Sequence, residues 1–204
     1  MHKVTDIPLT YGGKAVHNIM NTLPAVLATY LYRNITLEDI KQALQTFIPS
    51  PVQTPGRLNM FQFKKFQVLL DFAHNPAGIR LLGNFISTID AYPKVGIISG
   101  TGDRRDEDIK ELGKIAAEYF DEIIIRQDKY LRGRTSEEIV ALLQQGIEEG
   151  KRGELPVKVI LDEKEAILHA FNHAQPGSLI TLLADKVDAS LQLIKQLQEE
   201  EDNL

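Results

Sequence analysis

A carboxylate, an imidazole and an amide stand close together in Asp71-Phe72-Ala73-His74-Asn75-Pro76. A carboxylate at the C-terminal end of a strand can accept hydrogen bonds from ribose hydroxyls. An imidazole beside it can contact a phosphate or move a proton. Asn75 and Pro76 also make a good helix start, as N-cap and first helical residue. Capping accounts for those two residues and leaves Asp71 and His74 without a structural reason. A second polar junction, Ser99-Gly100-Thr101-Gly102-Asp103-Arg104-Arg105, pairs glycines that let backbone approach a ligand with arginines that can fork onto phosphate or carboxylate. Its acidic continuation, Asp106-Glu107-Asp108, favours a helix start. A third, Lys129-Tyr130-Leu131-Arg132-Gly133-Arg134-Thr135, is either a basic substrate loop or an exposed loop whose Thr135 or Ser136 caps a helix.

Several other patterns fail on a single residue. A dinucleotide fingerprint at the second junction needs a third glycine where Arg105 stands, which excludes NAD. Tyr11-Gly12-Gly13-Lys14-Ala15 lacks the glycine and hydroxyl residue of a phosphate loop, since Pro8 and Ala15 occupy those positions. His169 and His173 have the spacing of a metal pair, but Ala170 follows where a metalloprotease helix has glutamate; a helix surface is the better reading. Asn18 and Asn21 share a helical face and could reach a base edge, although a polar helix start is the plainer account.

All three junctions fall where an apolar run gives way to a helical pattern. Strands are expected at 58–63, 66–70, 95–99, 122–125, 157–160 and 179–183, and helices at 77–89, 106–119, 136–150, 163–173 and 187–200. Lys64-Lys65 reads as the turn of a hairpin. The strand–helix alternation predicts an α/β fold: a Rossmann-like, mostly parallel sheet with helices on both faces. Ligands bind such sheets at the C-terminal ends of the strands, where helix N-termini favour anions. Upstream, 4–9 could form a short strand. Residues 16–32 carry helical spacing with a kink or boundary at Leu23-Pro24, and Thr36 caps a second helix. Those two helices have apolar faces but no sheet to cover, so another domain or subunit is expected on them. Pro49, Pro51 and Pro55 mark a linker. The expected organisation is therefore a helical remnant over 1–50, a linker over 51–57 and the α/β domain over 58–204.

The net charge of −5 argues against nucleic acid and anionic membrane as partners. The absence of cysteine excludes disulfide and thiolate chemistry and fits a reducing cytoplasm. No run reaches membrane-span length, and the N-terminus lacks a signal-peptide core.

Pro55-Gly56-Arg57, the Asp71–Pro76 stretch and the glycine-rich junction occur in the order that resembles the C-terminal domain of the Mur ligase superfamily, which includes folylpolyglutamate synthetase. Those proteins usually have Tyr or Gly where Phe72 stands. The 102–108 run and Leu131-Arg132-Gly133-Arg134 most resemble the cyanophycin synthetases, and 17–21 resembles the end of that superfamily's central ATPase domain. The resemblance implies an ATP- and Mg2+-dependent carboxylate–amine ligase acting through an acyl phosphate, with arginine added to an aspartate side chain. A folylpolyglutamate or peptidoglycan ligase, and a non-catalytic binding module, are the rival readings. It also implies roles by position. Arg57, Asp71, His74 and Asn75 would lie at the nucleotide, with His74 catalytic. Asn18 and Asn21 would approach the adenine. Gly102, Asp103, Arg104, Arg105, Arg132 and Arg134 would border the amino acid or growing polypeptide. The superfamily's phosphate loop and metal ligands have no counterpart in these 204 residues, so the chain alone is expected not to turn over ATP. The apolar helices imply a homo-oligomer.

Overall fold

The computed structural model describes residues 3–32, 34–127 and 130–203. The chain forms two compact units that divide between Thr54 and Pro55, inside the proline-rich segment.

The first unit is helical. Residues Val4–Asp6 and Pro8–Thr10 form two short 3-10 turns rather than the expected strand. The Thr10 hydroxyl lies 2.8 Å from the carbonyls of both Val4 and Ile7, and it accepts from the Gly13 N–H. Local side-chain bonding of this kind competes with extended backbone. Helix α1, Val16–Leu31, runs through Pro24 without the boundary expected there. Proline removes one backbone bond, and on this exposed helix the freed carbonyl can be hydrated. Helix α2, Leu37–Thr46, starts in a reciprocal capping box between Thr36 and Asp39. On α1 Val16, Met20, Leu23, Leu27 and Leu31 are all more than half exposed. Their spacing makes one apolar stripe along the helix.

The second unit is a six-stranded sheet in the order β1-β2-β6-β3-β4-β5. The strands are β1 Asn59–Gln62, β2 Gln67–Asp71, β3 Lys94–Ile98, β4 Glu122–Ile125, β5 Val157–Val159 and β6 Leu179–Leu183. Only β1 runs antiparallel; it joins β2 through the Lys64-Lys65 turn, closed by the Phe63 N–H on the Phe66 carbonyl. The helices are α3 Pro76–Ile86, α4 Asp106–Tyr119, α5 Ser136–Gly150, α6 Glu163–Asn172 and α7 Val187–Asp202. The strand residues alternate between faces. Val68, Leu70, Ile97, Ile124, Ile180 and Leu182 share one core with α6 and α7. Phe63 and Phe66 stack there at 4.8 Å, with Phe171 edge-on to both. On the other face α4 packs beside α3 and α5. Gly146 permits the α4–α5 approach, since a Cβ there would sit 1.9 Å from the Lys110 carbonyl oxygen.

Parallel register sets the site. Asp71 pairs with Leu183, Ile97 with Leu182 and Ile98 with Ile125. The loops after β2, β3, β4 and β6 therefore emerge along one edge. Among the described residues, no helix is long and apolar enough to cross a membrane.

Candidate functional site

Strand β2 delivers Asp71 to that edge with only 8% of its surface exposed. One carboxylate oxygen accepts the Leu58 N–H at 2.9 Å and the other the Ala73 N–H at 2.8 Å. Leu58 has φ +48, a left-handed conformation that is costly for leucine. Asp71 thus holds the turn that carries Arg57. The Asn59 side chain accepts from the Gly56 N–H, and the Gly56 carbonyl accepts from the Phe72 N–H, completing the clamp.

Phe72 is a platform between two side chains. The Arg57 guanidinium lies 5.6 Å from its ring centroid, and the His74 ring lies 4.8 Å away at 52°. His74 Nδ1 sits 3.0 Å from the Phe72 carbonyl oxygen. A carbonyl can only accept, so Nδ1 carries a hydrogen and donates it, leaving Nε2 as the ring nitrogen open to a ligand. Asn75 caps α3 by accepting the Gly78 N–H at 2.8 Å, and Pro76 is the first helical residue.

His74, Asn75 and Pro76 line a cavity of about 140 Å³ with Thr101, Arg104 and Asp108. The Thr101 hydroxyl is buried there without a hydrogen-bond partner. Arg104 is exposed, and among the described residues its guanidinium makes no hydrogen bond or close ion pair, although its charge is felt by the Asp103 and Asp108 carboxyls. The other arginines of this edge are engaged. Arg105 forks onto Asp108 through two bonds of 3.0 and 2.8 Å. Arg132 reaches Asp103 at 3.0 Å. Arg134 donates to the Gly102 and Arg104 carbonyls and pairs with Asp106 at 2.7 Å. The bond from Arg132 holds the Asp103 carboxyl below its ordinary range, and the bond from Arg105 does the same for Asp108. Gly102 is the contact point of the two loops, because a Cβ there would meet the Leu131 carbonyl oxygen at 2.0 Å. Lys129, at the start of the basic loop, lies outside the described residues.

The sheet edge therefore brings together Arg57, Asp71, His74, Asn75, Gly102, Asp103, Arg104, Arg105, Arg132 and Arg134. Asn18 and Asn21 belong to the first unit. Asn18 donates its amide to the Leu9 carbonyl at 2.9 Å, and Asn21 lines an apolar groove between the 3-10 turns and α2. Sequence reasoning passed over Thr101, whose signal was a hydroxyl between two glycines at a strand end. It also passed over Arg126, which closes an isoleucine-rich strand. That side chain is 1% exposed and pairs with Glu163 at 3.0 Å and Asp185 at 3.1 Å. Among the described residues no cluster of three or more acidic, His or Cys side chains can hold a metal.

A family model described as Mur ligase, glutamate ligase domain, matches residues 56–185. Cyanophycin synthetase from Trichormus variabilis is 40% identical over 195 residues, which is 96% of this chain and 21% of that protein. A UDP-N-acetylmuramoyl-L-alanyl-D-glutamate–2,6-diaminopimelate ligase from Caldanaerobacter subterraneus is 31% identical over 94% of this chain and 37% of its own length. Among solved structures, E. coli FolC in complex with ADP is similar in fold, at a TM-score of 0.65 and 17% identity over 90% of this chain and 40% of that one. The chain spans about a fifth of the length of the cyanophycin synthetases it matches.

Proposed function

We propose that this chain, which belongs to the Mur ligase family through its glutamate ligase domain, supplies the amino-acid wall and part of the nucleotide wall of an ATP-dependent carboxylate–amine ligase of the cyanophycin synthetase type. The observation that carries this reading is the His74–Arg104 cavity, which joins an imidazole Nε2, a helix N-terminus and a guanidinium that makes no hydrogen bond among the described residues. At about 140 Å³ it is too small for a nucleotide and suits the head of an amino acid. Arg104 would take the substrate carboxylate in a bidentate fork. Thr101 would donate its hydroxyl to the same group. His74 Nε2 would accept a hydrogen bond or proton from the incoming amine.

ATP, when bound, supplies the phosphoryl group that activates the acceptor carboxylate. On this chain Arg57, exposed beside Phe72, suits its ribose or phosphates, and Asp71 holds the turn that presents Arg57. The phosphate chain and Mg2+ are left to other parts of a full-length ligase; among the described residues no metal-binding cluster accompanies the site. Arg132 and Arg134 shape the amino-acid wall by holding the 130–134 loop against Gly102. The apolar stripe of α1 is left for polypeptide outside this sequence, or for a second copy of the chain.

The test is a graft of this chain in place of the matching 195 residues of the Trichormus variabilis enzyme. Arginine-dependent phosphate release from ATP supports the reading. Release that responds only to glutamate or diaminopimelate transfers the chain to the folylpolyglutamate or peptidoglycan branch. ATP turnover by the chain alone contradicts the division of labour.

A further inference from the structure

A second cavity, of about 660 Å³, opens between α6 and α7 and shares no lining residue with the His74 cavity. Its volume lies in the range of sites that hold whole small molecules. Arg126 and Gln127, which follow β4, contribute to its wall. Gln127 is 5% exposed, yet among the described residues neither its amide nitrogen nor its amide oxygen has a partner, and Arg126 Nε is also unsatisfied. A buried amide left in this state costs roughly 1–3 kcal/mol.

The lining charges decide what could enter. Arg126, Lys164 and Lys186 are balanced by Asp162, Glu163 and Asp185. The Arg126 guanidinium is already covered by Glu163, Asp185 and the Leu183 carbonyl. Among the described lining residues no excess positive charge is left for a phosphate, unlike the Arg104 side of the sheet edge. Leu131, Leu161, Ile167, Ala189 and Leu193 form the apolar part of the wall. The Ser190 hydroxyl donates to Glu163 at 2.6 Å and ties α7 to the start of α6 beside the cavity.

We propose that the α6–α7 cavity is a binding site for a net-neutral, peptide-like ligand. One amide group of the ligand pairs donor-to-acceptor with the Gln127 side chain, and an apolar side chain lies against Leu161, Ile167 and Leu193. A peptide group presents one donor and one acceptor, matching the pair that Gln127 leaves open. A zwitterion places its opposite charges among the balanced rim groups. This site does not rest on the ligase reading, since its evidence is the orphaned amide and the charge balance.

The experiment titrates the full chain with glycyl-leucine, and in parallel with inorganic phosphate and ATP, by calorimetry and by the side-chain amide resonances of Gln127. Saturable glycyl-leucine binding that shifts the Gln127 amide is expected, with no competition from phosphate. Gln127→Leu should weaken binding by about tenfold, as the loss of a hydrogen bond to a buried group predicts, while leaving thermal stability equal or higher. Leu193→Trp should block the groove without touching a polar group, and it serves as the second variant should Gln127→Leu fail to fold. Absence of saturable binding, unchanged affinity in both variants, or displacement of the dipeptide by phosphate would each overturn the proposal.

Discussion

Asp71→Ala is the most informative perturbation of the sheet edge. The substitution removes both acceptors that hold the Leu58 and Ala73 amides. Hydrogen bonds to a charged group contribute roughly 1.5–3 kcal/mol each, and an orphaned buried donor adds its own desolvation cost. The Leu58 bond is buried and the Ala73 bond only partly so, which discounts the second. The left-handed Leu58 also loses the contact that holds it in place. A loss of roughly 3–4 kcal/mol follows. Asp71→Asn keeps one acceptor oxygen and should lose about half of that. Urea unfolding measures the stability, and amide hydrogen exchange at Leu58 and Ala73 localises the effect. An unchanged midpoint with protected Leu58 and Ala73 amides would refute the clamp and return Asp71 to a purely ligand-facing role.

Gly102→Ala drives a Cβ to 2.0 Å from the Leu131 carbonyl. It should cost about 1–3 kcal/mol and loosen the Arg134 bonds, as measured by unfolding and by Arg134 side-chain exchange. Asn75→Ala removes the α3 cap and should cost about 1 kcal/mol in a thermal melt. Burial, then the Lys158 cation and then His173, depress the His169 pKa below its ordinary value, and Glu122 opposes them only in part. The unfolded chain therefore binds a proton first. Stability is fully present above about pH 6.5 and declines as pH falls toward the lower folded value. His169→Gln should flatten that decline in melts compared across pH 5 to 8. Arg126→Met leaves Glu163 and Asp185 without their common cation. Both carboxylates are about a fifth exposed, so the cost should fall near the low end of the roughly 3–5 kcal/mol typical of broken buried pairs, read by urea unfolding.

The order of strands and helices was legible because its signals are local. Continuous apolar runs such as Ile123-Ile124-Ile125 and the 3.6-residue spacing of α4 and α5 survive packing unchanged. Asn75 and Thr135 announced their helices for the same reason. The misread segments depended on side chains acting at short range against propensity. Thr10 turned 4–10 into 3-10 structure, and α1 absorbed Pro24. At the sheet edge, residue type did not disclose the state of each group. Arg132 and Arg134 read as ligand-facing, yet they close the two loops on Asp103, Asp106 and the Gly102 and Arg104 carbonyls. Arg126 finds Glu163 and Asp185 dozens of residues away, a pairing that only the β4–β3–β6 order creates. Asp71 read as a ligand group, while its distance from Leu58 depends on the β1–β2 hairpin.

On the proposed reading, Arg104 and His74 receive the amino acid while ATP's phosphates are held elsewhere. Steady-state kinetics of the grafted enzyme bearing Arg104→Ala test it most directly. KM for the amino acid should rise by about tenfold or more, the cost of a lost charge-assisted fork, with KM for ATP unchanged. An unchanged amino-acid KM, or a rise confined to ATP, would contradict it.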